Sequence, residues 1–382
     1  MEFQLKHAAT GSADIPNSTN TNLRFFDQKG KFGFPTTPYS QEQLDDLNLL
    51  KYFSENVTWE SSSPTTSALF SAVGYYFGKM LQDSLQVPIG LICNAVGGST
   101  TESWIDRYTL EHHTRLVYML SNWSKNDNIQ PWVRERAGQN LANANNPLQR
   151  HPYHPAYLYE TSIADLASFP ITGVIWYQGE SNAHNVELHE ITFTTLVESW
   201  RKTWNNPELP FYYVQLSSME VGRETWGHFR DSQRRLLSVI PHSGMAVSSD
   251  VGHRTDVHPT DKKPIGERLA RWALADTYNF NIEKSGPLFK NATFVMDKVI
   301  VYFTNAAKLN TSDGKVVNSV EVAGANKVYY PASAQIIGNT LEAKSNKVPQ
   351  PKYVRYGWAS FSEGNLVNEV GLPASTFTSE DL

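Results

Sequence analysis

The chain is expected to be an α/β protein: a parallel sheet flanked by helices, followed by a small C-terminal β domain. Two observations lead there. From about residue 65 to 278, apolar residues at helical spacing alternate with short apolar runs. Strands separated by helices pair in parallel and are covered on both faces. After Tyr278 the helical spacing stops, and short β-branched and aromatic runs follow, split by Gly, Asn and Ser. The boundary falls at 282/283, giving an α/β domain over 1–282 and a β domain over 283–382.

The elements follow in order. Leu69, Phe70, Val73, Phe77, Met80 and Leu81 lie on one face of a helix over 66–82. Pro88 opens a strand through Ile92 that ends in Val96-Gly97-Gly98-Ser99. Residues 105–155 are polar and read as a partly helical insertion, with His151-Pro152-Tyr153-His154-Pro155 near its end. Gly173 to Tyr177 is a strand stopped by Gln178-Gly179. Leu188, Ile191, Leu196, Val197 and Trp200 predict a helix over 186–204. A strand over 211–216, a helix over 229–239 and a strand at 245–247 running into Asp250 come next. Ile265, Leu269, Trp272, Ala273 and Leu274 then share one face of a helix over 263–278. The runs at 299–303, 327–330, 335–337 and 353–356 read as strands.

Composition narrows the function. Of 382 residues, 40% are apolar and 19% charged, which are globular proportions. The net charge of -5 and the absence of a basic block argue against nucleic acid as a partner. No apolar stretch has bilayer-spanning length, so no membrane partner is expected. Ten Trp, 18 Tyr and 18 Phe suit core packing and, at some positions, stacking on sugar rings. Cys93 is the single cysteine, so an internal disulfide and a thiolate metal cluster are excluded. It lies in the apolar run Ile89–Cys93 and is expected to be buried.

Three loops, each following a strand, carry candidate chemistry, and in parallel sheets ligands bind beyond the carboxyl ends of the strands. Trp176-Tyr177-Gln178-Gly179-Glu180-Ser181-Asn182-Ala183 offers backbone and amide donors suited to an oxyanion hole. Gly97-Gly98-Ser99-Thr100 allows close backbone approach to a ligand. Asp250-Val251-Gly252-His253-Arg254-Thr255-Asp256-Val257-His258-Pro259 holds two carboxylate–imidazole pairings, Asp250 with His253 and Asp256 with His258. Either is the base half of a nucleophile–His–acid triad.

Together these segments resemble the sialate O-acetylesterase family of SGNH-type serine esterases, over nearly the whole chain. The resemblance also rests on Phe70-Ser71-Ala72-Val73-Gly74-Tyr75, Glu102-Ser103-Trp104, Phe229-Arg230-Asp231-Ser232-Gln233, Gly266-Glu267-Arg268-Leu269-Ala270 and Arg355-Tyr356-Gly357-Trp358. It implies a flavodoxin-like sheet, no metal or organic cofactor, and an O-acetylated carbohydrate as substrate. It implies His258 as general base, Asp256 as its partner, Gly98 as an oxyanion-hole donor, and Gln178 or Asn182 as the side-chain donor, with Glu180 the third residue in question. The family's nucleophile lies in a Gly-Gln-Ser-Asn-Met motif commonly followed by Glu-Phe. This chain begins Met1-Glu2-Phe3, so the serine is expected upstream, and the 382 residues alone are expected to be inactive. Ser99 and Ser181, in the motif loops, are not expected to replace it. Acetylated xylan is an alternative substrate, and a non-catalytic carbohydrate-binding protein the alternative class.

Overall fold

The computed structural model describes residues 1–220, 222 and 225–381. It divides into two compact units, one of 1–211 and 239–242, the other of 212–238 and 243–382.

In the first unit, β1 (Asn20–Gln28) lies between β2 (Glu60–Ser62) and β3 (Ile89–Asn94). β1 and β3 run parallel, from Leu23 opposite Ile89 to Gln28 opposite Asn94. The sequence pattern hides β1, because its buried residues Leu23 and Phe25 make a short apolar run broken by Arg24 and enclosed by polar residues at 20–22 and 27–28. The helix expected over 66–82 is interrupted. Ser71 leaves helical geometry and its Oγ accepts from Gly74 N at 3.0 Å, which caps a new helix, α1 (Ala72–Leu85). Phe70, at the break, stacks on Phe25 with centroids 4.1 Å apart. α1 packs close on the sheet at Gly78, where a methyl would stand 2.5 Å from Leu91 and 2.9 Å from Leu23. Cys93 is only partly buried, since β3 lies at the edge of this three-stranded sheet; desolvation still pushes its thiol up to about 12.

The insertion contributes α2 (Pro131–Asn140). β4 (Val174–Trp176) and α3 (Val186–Thr203) follow, and Trp176 meets Trp200 of α3 edge to face. Beside α2 the rings of His151 and His154 stack on Trp123. Tyr153 N–H donates to His151 Nδ1 at 3.0 Å, so the other ring nitrogen carries the proton and faces Asn140 Oδ1 at 3.3 Å.

β5 (Phe211–Gln215) leads into the second unit, which holds α4 (Thr225–Val239), β6 (Ser243–Val247) and α5 (Lys263–Trp272). Beyond α5 the chain makes one π-helical turn, Ala273–Thr277, instead of continuing as α-helix. Ten strands follow: β7 (Leu288–Val295), β8 (Lys298–Thr304), β9 (Leu309–Thr311), β10 (Val320–Ala323), β11 (Tyr329–Pro331), β12 (Ser333–Ile337), β13 (Thr340–Lys344), β14 (Tyr353–Tyr356), β15 (Leu366–Asn368) and β16 (Phe377–Thr378). They pair antiparallel in the orders β12-β13-β8-β7, β11-β10-β14-β16 and β15-β9. Val299, Val301, Val322, Leu341, Val354 and Phe377 form their core. Among the described residues no helix is long and apolar enough to cross a membrane.

Burial pulls His151, His154 and His189 down to about 3. Above pH 6.5 these rings are neutral folded or unfolded and do not affect stability. Below it the unfolded chain binds protons that the folded one refuses, so stability falls as pH drops from about 6.5 towards 3. The loss is about 1.4 kcal/mol per histidine per pH unit. Thermal melts at pH 7.5, 6 and 5 should show a falling Tm, with a shallower pH slope in His189→Gln.

Candidate active site

Where the chain leaves β3 it makes a tight turn from Val96 to Thr100. Gly98 sits at φ +69°, a left-handed conformation glycine adopts without strain. A methyl there would also lie 2.5 Å from Trp132 Cη2 and 2.7 Å from Tyr153 Oη. Ser99 N–H closes the turn on Val96 O at 3.3 Å. Three consecutive carbonyls are then held by side chains from elsewhere. Tyr153 Oη–H donates to Gly97 O at 3.0 Å, Ser181 Oγ–H to Gly98 O at 3.0 Å, and Gln178 Nε2–H to Ser99 O at 3.1 Å. Burial holds the Tyr153 phenol far above its ordinary range, so it stays a donor.

A peptide group is planar and trans, so its C=O and N–H point in opposite directions. Fixing Gly97 C=O therefore fixes the direction of Gly98 N–H. That N–H has no partner among the described residues, and Gly98 is exposed. The turn thus presents an oriented donor, the element an oxyanion site requires.

A second tier supports the first. Gln178 places its other N–H on Asn182 Oδ1 at 2.7 Å and accepts from Thr101 Oγ1 at 2.8 Å. Asn182 Oδ1 also accepts Thr101 N–H at 3.0 Å, and its Nδ2 donates to Glu102 Oε2 at 3.0 Å. Glu102 is fully buried, and desolvation raises its carboxyl above the usual range. Gln178 and Asn182 therefore lie beside the Gly98 turn, and both N–H groups of Gln178 are taken, one by Ser99 O and the other by Asn182 Oδ1. Glu180, on the same loop, is half-buried. Ser99 Oγ donates to Val96 O at 2.8 Å, and Ser181 Oγ is committed to Gly98 O. Glu2 Oε1 stands 2.2 Å from where a methyl on Gly97 would sit.

The histidine loop lies in the second unit. Asp250 grips Arg268 of α5 in a two-point bridge at 2.7 and 2.6 Å. His253 Nδ1 accepts the N–H groups of Thr255 and Asp256. Asp250 and His253 are therefore each engaged with other groups. Asp256 Oδ1 accepts His258 N–H at 2.8 Å and lies 3.6 Å from His258 Nδ1, too long for a hydrogen bond. The His258 side chain is 67% exposed and that of Asp256 55%. Pro259, next in the chain, is buried.

This loop is braced by groups its own sequence does not reveal. Gly252 packs against Ser218, where a methyl would stand 2.1 Å from Ser218 O. Glu220 N–H donates to Arg254 O at 2.8 Å, and the Arg254 guanidinium lies over Phe361 at 4.2 Å. Ser218 is held in turn by Arg230 of α4, which is fully buried. Its guanidinium donates to Ser218 Oγ at 3.2 Å and to the carbonyls of Gly357 and Ala359 at 2.7 and 2.5 Å.

Sequence reasoning assigns no role to Tyr153, Thr101 or Arg230. Tyr153 lies 56 residues from the carbonyl it holds, so no local spacing points to it. Arg230 is visible only as part of the helical motif at 229–233.

The fold is that of a carbohydrate esterase. A solved carbohydrate acetylesterase from Xanthomonas citri superposes with a TM-score of 0.80 at 30% identity, covering all of this chain and 78% of that one. The family described as carbohydrate esterase, sialic acid-specific acetylesterase, matches residues 38–275. The chain belongs to this family. Sialate O-acetylesterase of Mus musculus is 29% identical over 301 residues, covering 69% of this chain and 53% of its own length. That of Homo sapiens is 28% identical, with 69% and 50% covered. The chain thus spans about half the length of these relatives.

Because a methyl at Gly252 meets backbone, Gly252→Ala must displace the loop. It should cost about 1–3 kcal/mol, read as a lower Tm, and move the His258 ring resonances in imidazole NMR spectra. Unchanged His258 signals would show that the contact with Ser218 does not position the ring.

Proposed function

We propose that this protein serves the hydrolysis of O-acetyl esters on carbohydrates, with O-acetylated sialic acids as its substrates. The observation that carries the reading is the Gly97–Gly98 peptide, locked by Tyr153 so that the N–H of exposed Gly98 is fixed in direction on a braced turn. In the proposed reaction a serine hydroxyl attacks the acetyl carbon and His258 takes its proton. Asp256, 3.6 Å from His258 Nδ1 in this structure, closes on the ring to orient it and offsets the imidazolium charge. The carbonyl oxygen, now an oxyanion, accepts from Gly98 N–H. Collapse of the intermediate breaks the bond to the sugar oxygen, which leaves with the proton from His258. Water, deprotonated by His258, then cleaves the acetyl-serine to acetate and restores the hydroxyl. Gln178 and Asn182 act by holding the turn. The 382 residues contain no Gly-Gln-Ser-Asn motif, so the serine is not assigned among them.

Acetate release from O-acetylated sialic acids and from acetylated xylan tests the reading. It is measured for this chain and for the chain extended through its upstream reading frame. No turnover is expected from the 382 residues, and turnover from an extension that supplies the motif. In the active form, His258→Ala should lower kcat at least a thousandfold, while His253→Ala stays within a few-fold. The reverse order would overturn the assignment of the base. Tyr153→Phe keeps the ring packing but frees Gly97 O. It should lower kcat roughly tenfold with little change in KM, since donor alignment counts most in the transition state.

A further inference from the structure

Outside the braced turns, one ring has a placement that the reaction above does not use. Trp132, at the start of α2, is half-buried, unlike the buried rings of Tyr39, Tyr153 and Trp123 nearby. Its Cη2 and Cζ3 atoms lie 2.5 and 3.4 Å from the point where a side chain on Gly98 would begin. Its Nε1–H meets no acceptor among the described residues. Tyr153 meets it edge to face with centroids 5.9 Å apart, and Phe34 stacks on Tyr153 at 4.4 Å. Trp132 is thus held by packed aromatics with its rim against Gly98, on the side where a side chain would point.

We propose that Trp132 is the platform for the sugar ring bearing the acetyl group, and that it makes the site selective for esters of ring hydroxyls. The proposal rests on the reading of Gly98 N–H as the oxyanion donor. An ester carbonyl oxygen accepting from that N–H stands about 3 Å from the nitrogen. In a ring ester, the ring carbon is two covalent bonds from the carbonyl carbon, so the ring must lie against whatever flanks Gly98. On the side where a Gly98 side chain would point, that neighbour is the Trp132 rim, together with the committed Tyr153 hydroxyl. Pyranose C–H groups carry partial positive charge and the indole face carries negative charge, so the two attract as they bury apolar surface. The Nε1–H is available to a sugar hydroxyl. In an ester on the exocyclic chain of a sialic acid, several bonds separate ring from carbonyl, and the ring falls beyond this contact. Tyr153 is not a rival platform, because it is 2% exposed and its hydroxyl is committed to Gly97 O.

The test uses the 382-residue chain and needs no turnover. Binding of 4-O-acetyl-N-acetylneuraminic acid, a methyl 3-O-acetyl-xylopyranoside, 9-O-acetyl-N-acetylneuraminic acid and ethyl acetate is followed by NMR. The Trp132 indole N–H signal is assigned by its absence in Trp132→Phe. The two ring esters should move that signal. Trp132→Ala should weaken them about tenfold, the equivalent of one aromatic contact, and Trp132→Phe by no more than a few-fold. The 9-O ester and ethyl acetate should change less than twofold. Ring esters that fail to move the signal, or that bind Trp132→Ala as they bind the parent, overturn the platform. Ring-ester binding through Trp132 with no acetate release from any extended chain removes the hydrolytic reading and leaves the platform standing. Acetate release with an unchanged KM in Trp132→Ala does the opposite.

Discussion

Everything at the first loop depends on the phenol of Tyr153 donating to the carbonyl of Gly97. Peptide planarity turns this one bond into control over the neighbouring N–H, because the two ends of a peptide group cannot rotate independently. Ser181 and Gln178 extend the same control to the next two carbonyls. A glycine-rich turn is conformationally loose by itself. Here it is fixed by three donors from two distant segments, so the entropy cost of ordering it is met in folding and not at the moment of binding. Tyr153 is itself set by His151, which accepts its backbone N–H. A buried neutral imidazole thus stands behind a surface donor.

The histidine loop is braced on a different principle. Arg230 is fully buried, and the hydrogen bonds that hold its guanidinium run to backbone carbonyls and the Ser218 hydroxyl, not to a carboxylate. Burying a charge is costly, and here burial pulls the guanidinium down to about 9. Several bonds from one planar fork offset that cost, and they tie α4 to Ser218 and to the loop after β14 at once. A lysine has donors enough but no rigid fork to span them. Gly252 then lets the histidine loop settle directly on the Ser218 backbone.

The sequence made the α/β pattern legible where a whole helical face or a whole strand is apolar, as at Leu188–Trp200, Phe211–Gln215 and Met245–Val247. It failed at β1, where Leu23, Phe25 and Phe26 are interrupted by Arg24 and enclosed by Asn22 and Asp27, and at Phe70, where an unbroken stripe conceals a serine cap. The loops of the candidate site were legible through Gly98, Gln178, Asn182, Asp256 and His258. What supports them was not, since Tyr153–Gly97 and Ser218–Ser362 are contacts between residues far apart in the chain. The division of labour among the amides was also beyond reach. Gln178 carries the chemistry of a free donor, and only the positions of Ser99 O and Asn182 Oδ1 show that both its hydrogens are taken.

Glu102 gives the arrangement a further property. It closes the second tier from inside, next to Asn182, in surroundings that disfavour its ionised form. Burial thus works against negative charge on the group that orients the Asn182 amide. Were it ionised, its field would oppose any anion gathering on the Gly98 side, and in so dry a spot the repulsion would be weakly screened. The carboxyl sets the amide's orientation through this bond, and the burial that raises its pKa is the same burial that would leave any charge on it felt behind the turn.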